Sequence, residues 1–127
     1  LVEKMIANTV AELIVGIQRD EQFGPALVIG AGGILVELIA DSVSLLLPTS
    51  PEAVLGAINR LSSAVLLRGF RGKPAADMDA LVEAIMAIAA YAEANWDTLQ
   101  QLDVNPLMVL PAGEGVIAAD ALIARCP

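Results

Sequence analysis

The chain has 127 residues, is 57% apolar but only 3% aromatic, and carries a net charge of −8 with no histidine. That length suits one domain with an aliphatic core, and the acidic balance excludes a phosphate-backbone-binding surface, which needs clustered Lys and Arg. A single cysteine, Cys126, excludes an intrachain disulfide and a thiolate metal site. Glu37, Asp41, Glu83 and Glu93 interrupt the apolar stretches, so none approaches the roughly 18 residues of a membrane span. No basic, apolar and small-residue leader pattern opens the chain. We therefore expect a soluble, cytoplasmic protein without nucleic-acid or membrane partners. The start within an apolar segment leads us to expect a piece of a longer parent.

In chain order, residues 1–6 and 12–18 are apolar, β-branched runs separated by Asn8 and Thr9, which predicts a strand pair. Residues 26–29 and 34–39 predict two more strands about a turn at residues 30–33, and residues 43–47 a further one. Glycines after a strand let backbone N–H groups approach a phosphate. The dinucleotide fingerprint nevertheless fails, because Leu35 stands where its third glycine belongs and the following residues read as strand, not helix. A tight hairpin turn is the alternative that glycine chemistry favours. Glu12 and Glu37 sit in apolar runs and must either face solvent or find partners.

Ser50 offers an N-cap with Pro51 at the first helical position, and Val54, Leu55, Ile58 and Leu61 recur at helical spacing. Arg68 and Arg71 flank Gly69 in the next loop. Arginines beside glycines can clamp phosphoryl oxygens bidentately, or simply make weak surface pairs. A second helix is predicted from Asp77, its cap, to Asn95, with Met78, Leu81, Val82, Ile85, Ile88, Ala89 and Ala92 on one stripe. Acidic residues in its first turn suit the positive end of the helix dipole.

Two strands close the chain, residues 101–110 and 116–123, joined by a turn at residues 111–115. Asp103 and Asn105 are two apart and share a strand face. The hairpin brings Asp120 within reach of the same point. Two carboxylates and an amide oxygen form an oxygen-only set of the kind Mg²⁺ prefers while keeping waters for substrate phosphates. Pro106 inside the strand marks an edge or a bulge. The competing reading is that Asp-x-Asn-Pro is ordinary turn chemistry.

Several blocks, taken in order, carry a resemblance: Leu1-Val-Glu-Lys-Met-Ile, Ala11-Glu-Leu-Ile-Val-Gly-Ile, Arg19-Asp-Glu-Gln-Phe-Gly-Pro25, Gly30-Ala-Gly-Gly-Ile-Leu-Val-Glu37 with Asp41, Leu66-Leu-Arg-Gly-Phe-Arg-Gly72 and Leu102-Asp-Val-Asn-Pro-Leu107. With them the chain resembles the C-terminal lobe of the ATP-grasp domain in ADP-forming acyl-CoA synthetases, relatives of the succinyl-CoA synthetase β subunit. The resemblance implies an α+β fold, a mainly antiparallel sheet with two main helices packed on it, as a single partial domain over residues 1–127.

It also implies a nucleotide- and Mg²⁺-binding lobe of an acid-CoA ligase, one that interconverts acyl-CoA, ADP and phosphate with acid, CoA and ATP through a phosphohistidine elsewhere. Asn105 and Asp120 match the family's metal ligands, and Asp103 its acidic position. Glu3, Lys4 and Met5 fall on the hinge strand beside adenine or ribose, and Arg71 matches a loop arginine with a catalytic role. Expected partners are nucleotide and a CoA-binding domain or subunit, with homodimerisation of the isolated lobe through its open face. Glu21 departs from the family's usual proline, and the family's histidine and lysine-bearing lobe are absent from this sequence, so the chain alone is expected to be inactive. An acyl-CoA- or nucleotide-sensing lobe of an acyltransferase fusion, and a non-catalytic interaction module, are the alternatives.

Overall fold

A computed structural model describes residues 8–20, 22, 24–32, 41–70 and 72–126. The strands are β1 (Ala11–Asp20), β2 (Gly24–Ala31), β3 (Ser42–Leu46), β4 (Leu99–Val109), β5 (Val116–Ala118) and β6 (Ala121–Arg125). They form one antiparallel sheet in the order β3-β2-β1-β4-β5, with β6 continuing beside β4. Among the described residues the helices are α1 (Pro51–Arg60), the single turn α2 (Ala64–Leu67) and α3 (Met78–Ala94). This is the expected α+β architecture. The predicted strands at residues 1–6 and 34–39 fall outside the described residues.

Alternation within each strand decides which face folds the molecule. Leu13, Val15 and Ile17 of β1 lie opposite Leu107, Val104 and Leu102 of β4, while Ile29 and Leu27 of β2 lie opposite Val15 and Ile17. All are buried, and they pack with Val54, Ala57 and Ile58 of α1 and Leu81, Ile85, Ala89 and Ala92 of α3. Fully burying one such Leu or Ile is worth about 1.5–3 kcal/mol, so this one face supplies most of the folding drive. The intervening residues Ile14, Gly16, Gln18, Val28, Gly30, Asp103 and Asn105 point to the other face, which no described helix covers.

Both long helices begin as local chemistry predicts. The Ser50 hydroxyl accepts the Ala53 N–H at 3.1 Å, and the Asp77 carboxylate accepts that of Ala80 at 3.1 Å. Arg19 ties β1 to the segment between α3 and β4, donating to the carbonyls of Trp96 (2.7 Å) and Leu99 (2.9 Å) and lying 3.9 Å over the Trp96 ring.

Two expectations are corrected. Gly30 and Ala31 are not turn residues: both belong to β2, Gly30 opposite both Ile14 and Ser42. A Cβ on Gly30 would stand 3.2 Å from the Asp41 carbonyl, and one on Gly32 2.9 Å from that of Glu12. Close backbone approach, not turn conformation, explains these glycines. The predicted strand 116–123 is also two strands, β5 and β6, interrupted at Ala119 and Asp120.

Candidate functional site

The interruption in the last strand faces an irregularity in β4. Between the pairs Leu13↔Leu107 and Val15↔Val104, β1 advances two residues while β4 advances three, so β4 carries one extra residue at Asn105–Pro106. Proline cannot donate to the ladder, and a bulge is where a central strand tolerates it. The bulge reading of Pro106 therefore holds, and the turn reading does not. The Pro106 carbonyl accepts the Ala119 N–H at 3.0 Å, and the Asn105 N–H donates to the Asp120 carbonyl at 3.0 Å. These two bonds fix the 119–120 link against the bulge.

Further along, the hairpin loop is tied to a helix. Gly113 and Gly115 take positive φ of 86° and 87°, the left-handed region where glycine carries no Cβ penalty. Their N–H groups donate to the second Asp77 oxygen at 3.1 and 2.9 Å. The Asp77 carboxyl is held below the usual carboxylate range by the Ala80 and Gly115 N–H bonds, which outweigh the desolvation penalty, with a smaller contribution from the Gly113 N–H. Asp77 thus caps α3 and anchors the loop that leads into β5.

The outcome is convergence. Asp103, Asn105 and Asp120, with Ala121 and Leu122, line one shallow cavity of about 230 Å³ on the face that no described helix covers. Asp103 is half-buried, while Asn105 and Asp120 are exposed. Among the described residues no three His, Cys, Asp or Glu side chains form a metal cluster. The set is instead two carboxylates and one carboxamide, with no cation among the lining residues. Such a donor set fits Mg²⁺ with several coordination places left for water or phosphate oxygens, and fits Zn²⁺ poorly, which favours nitrogen and sulfur.

A second groove adjoins the first through Asp103. It is lined by Ile14, Gly16, Gln18, Val28, Gly30 and Ser42 as well. Gly16 sits across from Asp103 in the β1–β4 ladder. Gln101, two residues before Asp103 on the same face, donates its amide N–H to Asp103 Oδ2 at 2.7 Å. Neither residue stood out in the sequence as part of a site, although a glycine inside an apolar strand is a signal of close approach.

Other sequence candidates lie elsewhere. Glu3, Lys4, Met5, Glu37 and Arg71 fall outside the described residues. Arg68 is exposed and donates to Asn59 Oδ1 at 3.3 Å, the surface-contact reading. Glu12 is half-buried opposite Met108. Asp41 is buried at 8% exposure and accepts the Ser62 and Ser63 N–H groups at 2.7 and 3.0 Å. Burial pushes its pKa up, but those bonds outweigh it and the net direction is down. Its role is to join the α1–α2 turn to the start of β3.

Residues 1–124 match the ATP-grasp domain family. The chain is 40% identical over 124 residues to a trans-feruloyl-CoA synthase from an unknown prokaryotic organism, covering 97% of this chain and 17% of the relative. It is 32% identical over 112 residues to the β subunit of an ADP-forming acetate–CoA ligase II of Pyrococcus furiosus, covering 88% of this chain and 48% of that subunit. The chain thus spans about half of one relative and under a fifth of the other. Among solved structures it resembles a dinucleotide-forming acetyl-coenzyme A synthetase 1 of Ca. Korarchaeum cryptofilum in complex with coenzyme A and Mg-AMPPCP. The TM-score is 0.86 and the identity 32%, over 94% of this chain and 55% of that one.

Proposed function

This chain belongs to the ATP-grasp domain family, and from that premise we propose that it is the nucleotide- and Mg²⁺-binding lobe of an ADP-forming acyl-CoA synthetase. The observation that carries the reading is the shared cavity of Asp103, Asn105 and Asp120 on the open face of the sheet. The curated relatives include ADP-forming acetate–CoA ligases and a trans-feruloyl-CoA synthase, which supports that reaction class.

The physical case rests on charge. The chain has 15 acidic and 7 basic residues, so a polyphosphate brought to two carboxylates meets repulsion unless a cation stands between them. Asp103 from β4 and Asp120 from the link between β5 and β6 would hold Mg²⁺, with the Asn105 carboxamide oxygen as a neutral third donor. When bound, the ion supplies charge neutralisation at phosphate oxygens during phosphoryl transfer. The groove lined by Gly16, Gln18, Gly30 and Ser42 adjoins that point through Asp103 and leaves room for the phosphates beside it.

The remaining assignments rest on the family resemblance. Glu3, Lys4 and Met5 neighbour the adenine or ribose, and Arg71 contacts phosphoryl oxygens. With no histidine in the sequence, a phosphohistidine must come from another segment or subunit, which also supplies coenzyme A binding. The lobe on its own does not turn over.

In the protein that carries this chain, Asn105→Ala and Asp120→Asn are each expected to reduce Mg²⁺-dependent nucleotide turnover by at least ~100-fold, the upper end of losses seen for outer-sphere partners of metals. Both side chains are exposed, so stability should stay within ~0.5 kcal/mol. Wild-type turnover in both variants would remove the metal assignment.

A further inference from the structure

Building on the reading that Asp103, Asn105 and Asp120 hold a divalent cation, we propose that Gly16 and Gln101 are positioning residues that aim the Asp103 carboxylate. Gly16 leaves the space that Oδ1 occupies, and Gln101 anchors Oδ2.

The case starts from an oddity in β1. Position 16 lies mid-strand between Val15 and Ile17, in a central strand paired on both sides. Glycine weakens such a position relative to a β-branched residue, because it adds backbone entropy and contributes no cross-strand packing. Local propensity therefore gives no reason for it. What lies across the ladder does. A Cβ built on Gly16 would stand 2.6 Å from Asp103 Oδ1, with the Leu102 carbonyl next at 3.3 Å.

The nearest obstacle is the tip of a rotatable side chain. Alanine at position 16 would thus be accommodated mainly by turning the carboxylate, with the Leu102 carbonyl giving by a few tenths of an ångström. The consequence falls on the ligand direction more than on the fold.

Gln101 restrains the other oxygen. It lies on the same face as Asp103 by strand alternation, and its 2.7 Å bond to Oδ2 occupies one lone-pair direction while leaving Oδ1 free. Hydrogen bonds of this kind to ligating carboxylates orient them and tune their affinity, and their removal typically costs about 10–100-fold in metal binding. Neither residue contacts the ion, and each acts through Asp103.

The test is a Mn²⁺ titration, with the metal alone added to the full chain and free Mn²⁺ followed by its EPR signal. Wild type should bind saturably at one site, and Gly16→Ala and Gln101→Leu should each bind about 10-fold more weakly or worse. In an Asp103→Ala background, Gly16→Ala should cause no further loss, since there is no carboxylate left to displace. A purely structural effect of Gly16→Ala would persist in that background and overturn the proposal.

The Gln101→Leu change is at an exposed site and tests the same device should the glycine variant fold poorly. If wild type binds Mn²⁺, Asp103→Ala binds it measurably more weakly, and both Gly16→Ala and Gln101→Leu match wild type, the positioning role is wrong and the metal site stands. If wild type shows no saturable binding, the metal reading falls and takes this inference with it.

Discussion

The two faces of this sheet are made by alternate residues of the same strands, yet they obey different rules. On the helix-covered face, Leu13, Val15, Leu27 and Ile29 are wholly buried against α1 and α3, and shape complementarity governs what is tolerated. On the open face, positions one residue away carry Gly16, Gly30, Asp103 and Asn105, which contribute little to packing. The comparison shows how one strand serves two ends: parity separates stability from chemistry, and the bulge at Asn105–Pro106 changes that parity at the site.

The largest expected effect breaks one face and spares the other. Ile85→Ala removes a fully buried α3 side chain and should cost about 2–5 kcal/mol in urea unfolding. Divalent-ion affinity of the remaining folded protein should stay unchanged. A matching loss of affinity would show that the faces are coupled and the separation false.

A smaller, pH-dependent effect sharpens the boundary between the faces. Asp41 has a folded-state pKa lowered from 3.8, so its stabilising contribution is fully present above that unfolded value and is lost as pH falls through the lower folded value. Asp41→Asn should therefore be less stable than wild type at pH 7, and the difference should shrink steadily below pH ~3.8. Urea titrations of both proteins at pH 7 and pH 3 check this. A difference independent of pH would mean that the Ser62 and Ser63 bonds owe nothing to the charge.

Local chemistry was the most legible part of the sequence. Ser50 and Asp77 announce their helices because a cap depends only on residues three positions away. The Asp103, Asn105 and Asp120 convergence was also readable, since a short hairpin and strand alternation suffice to place it. The break of the last strand at Ala119 and Asp120 was not, because it answers to a bulge in the neighbouring strand. Gly30 misled for a related reason: glycine signals either a turn or a close approach, and only the pairing with Ser42 and Ile14 decides between them. Gly16 and Gln101 gain meaning solely from what lies across or beside them.

The most direct measurement is an anomalous-difference map from crystals of the protein soaked with Mn²⁺ and ADP. The account predicts a peak within coordination distance of Asp103, Asn105 and Asp120 on the open face of the sheet. A peak elsewhere, or none at a Mn²⁺ concentration that occupies other sites, would contradict it.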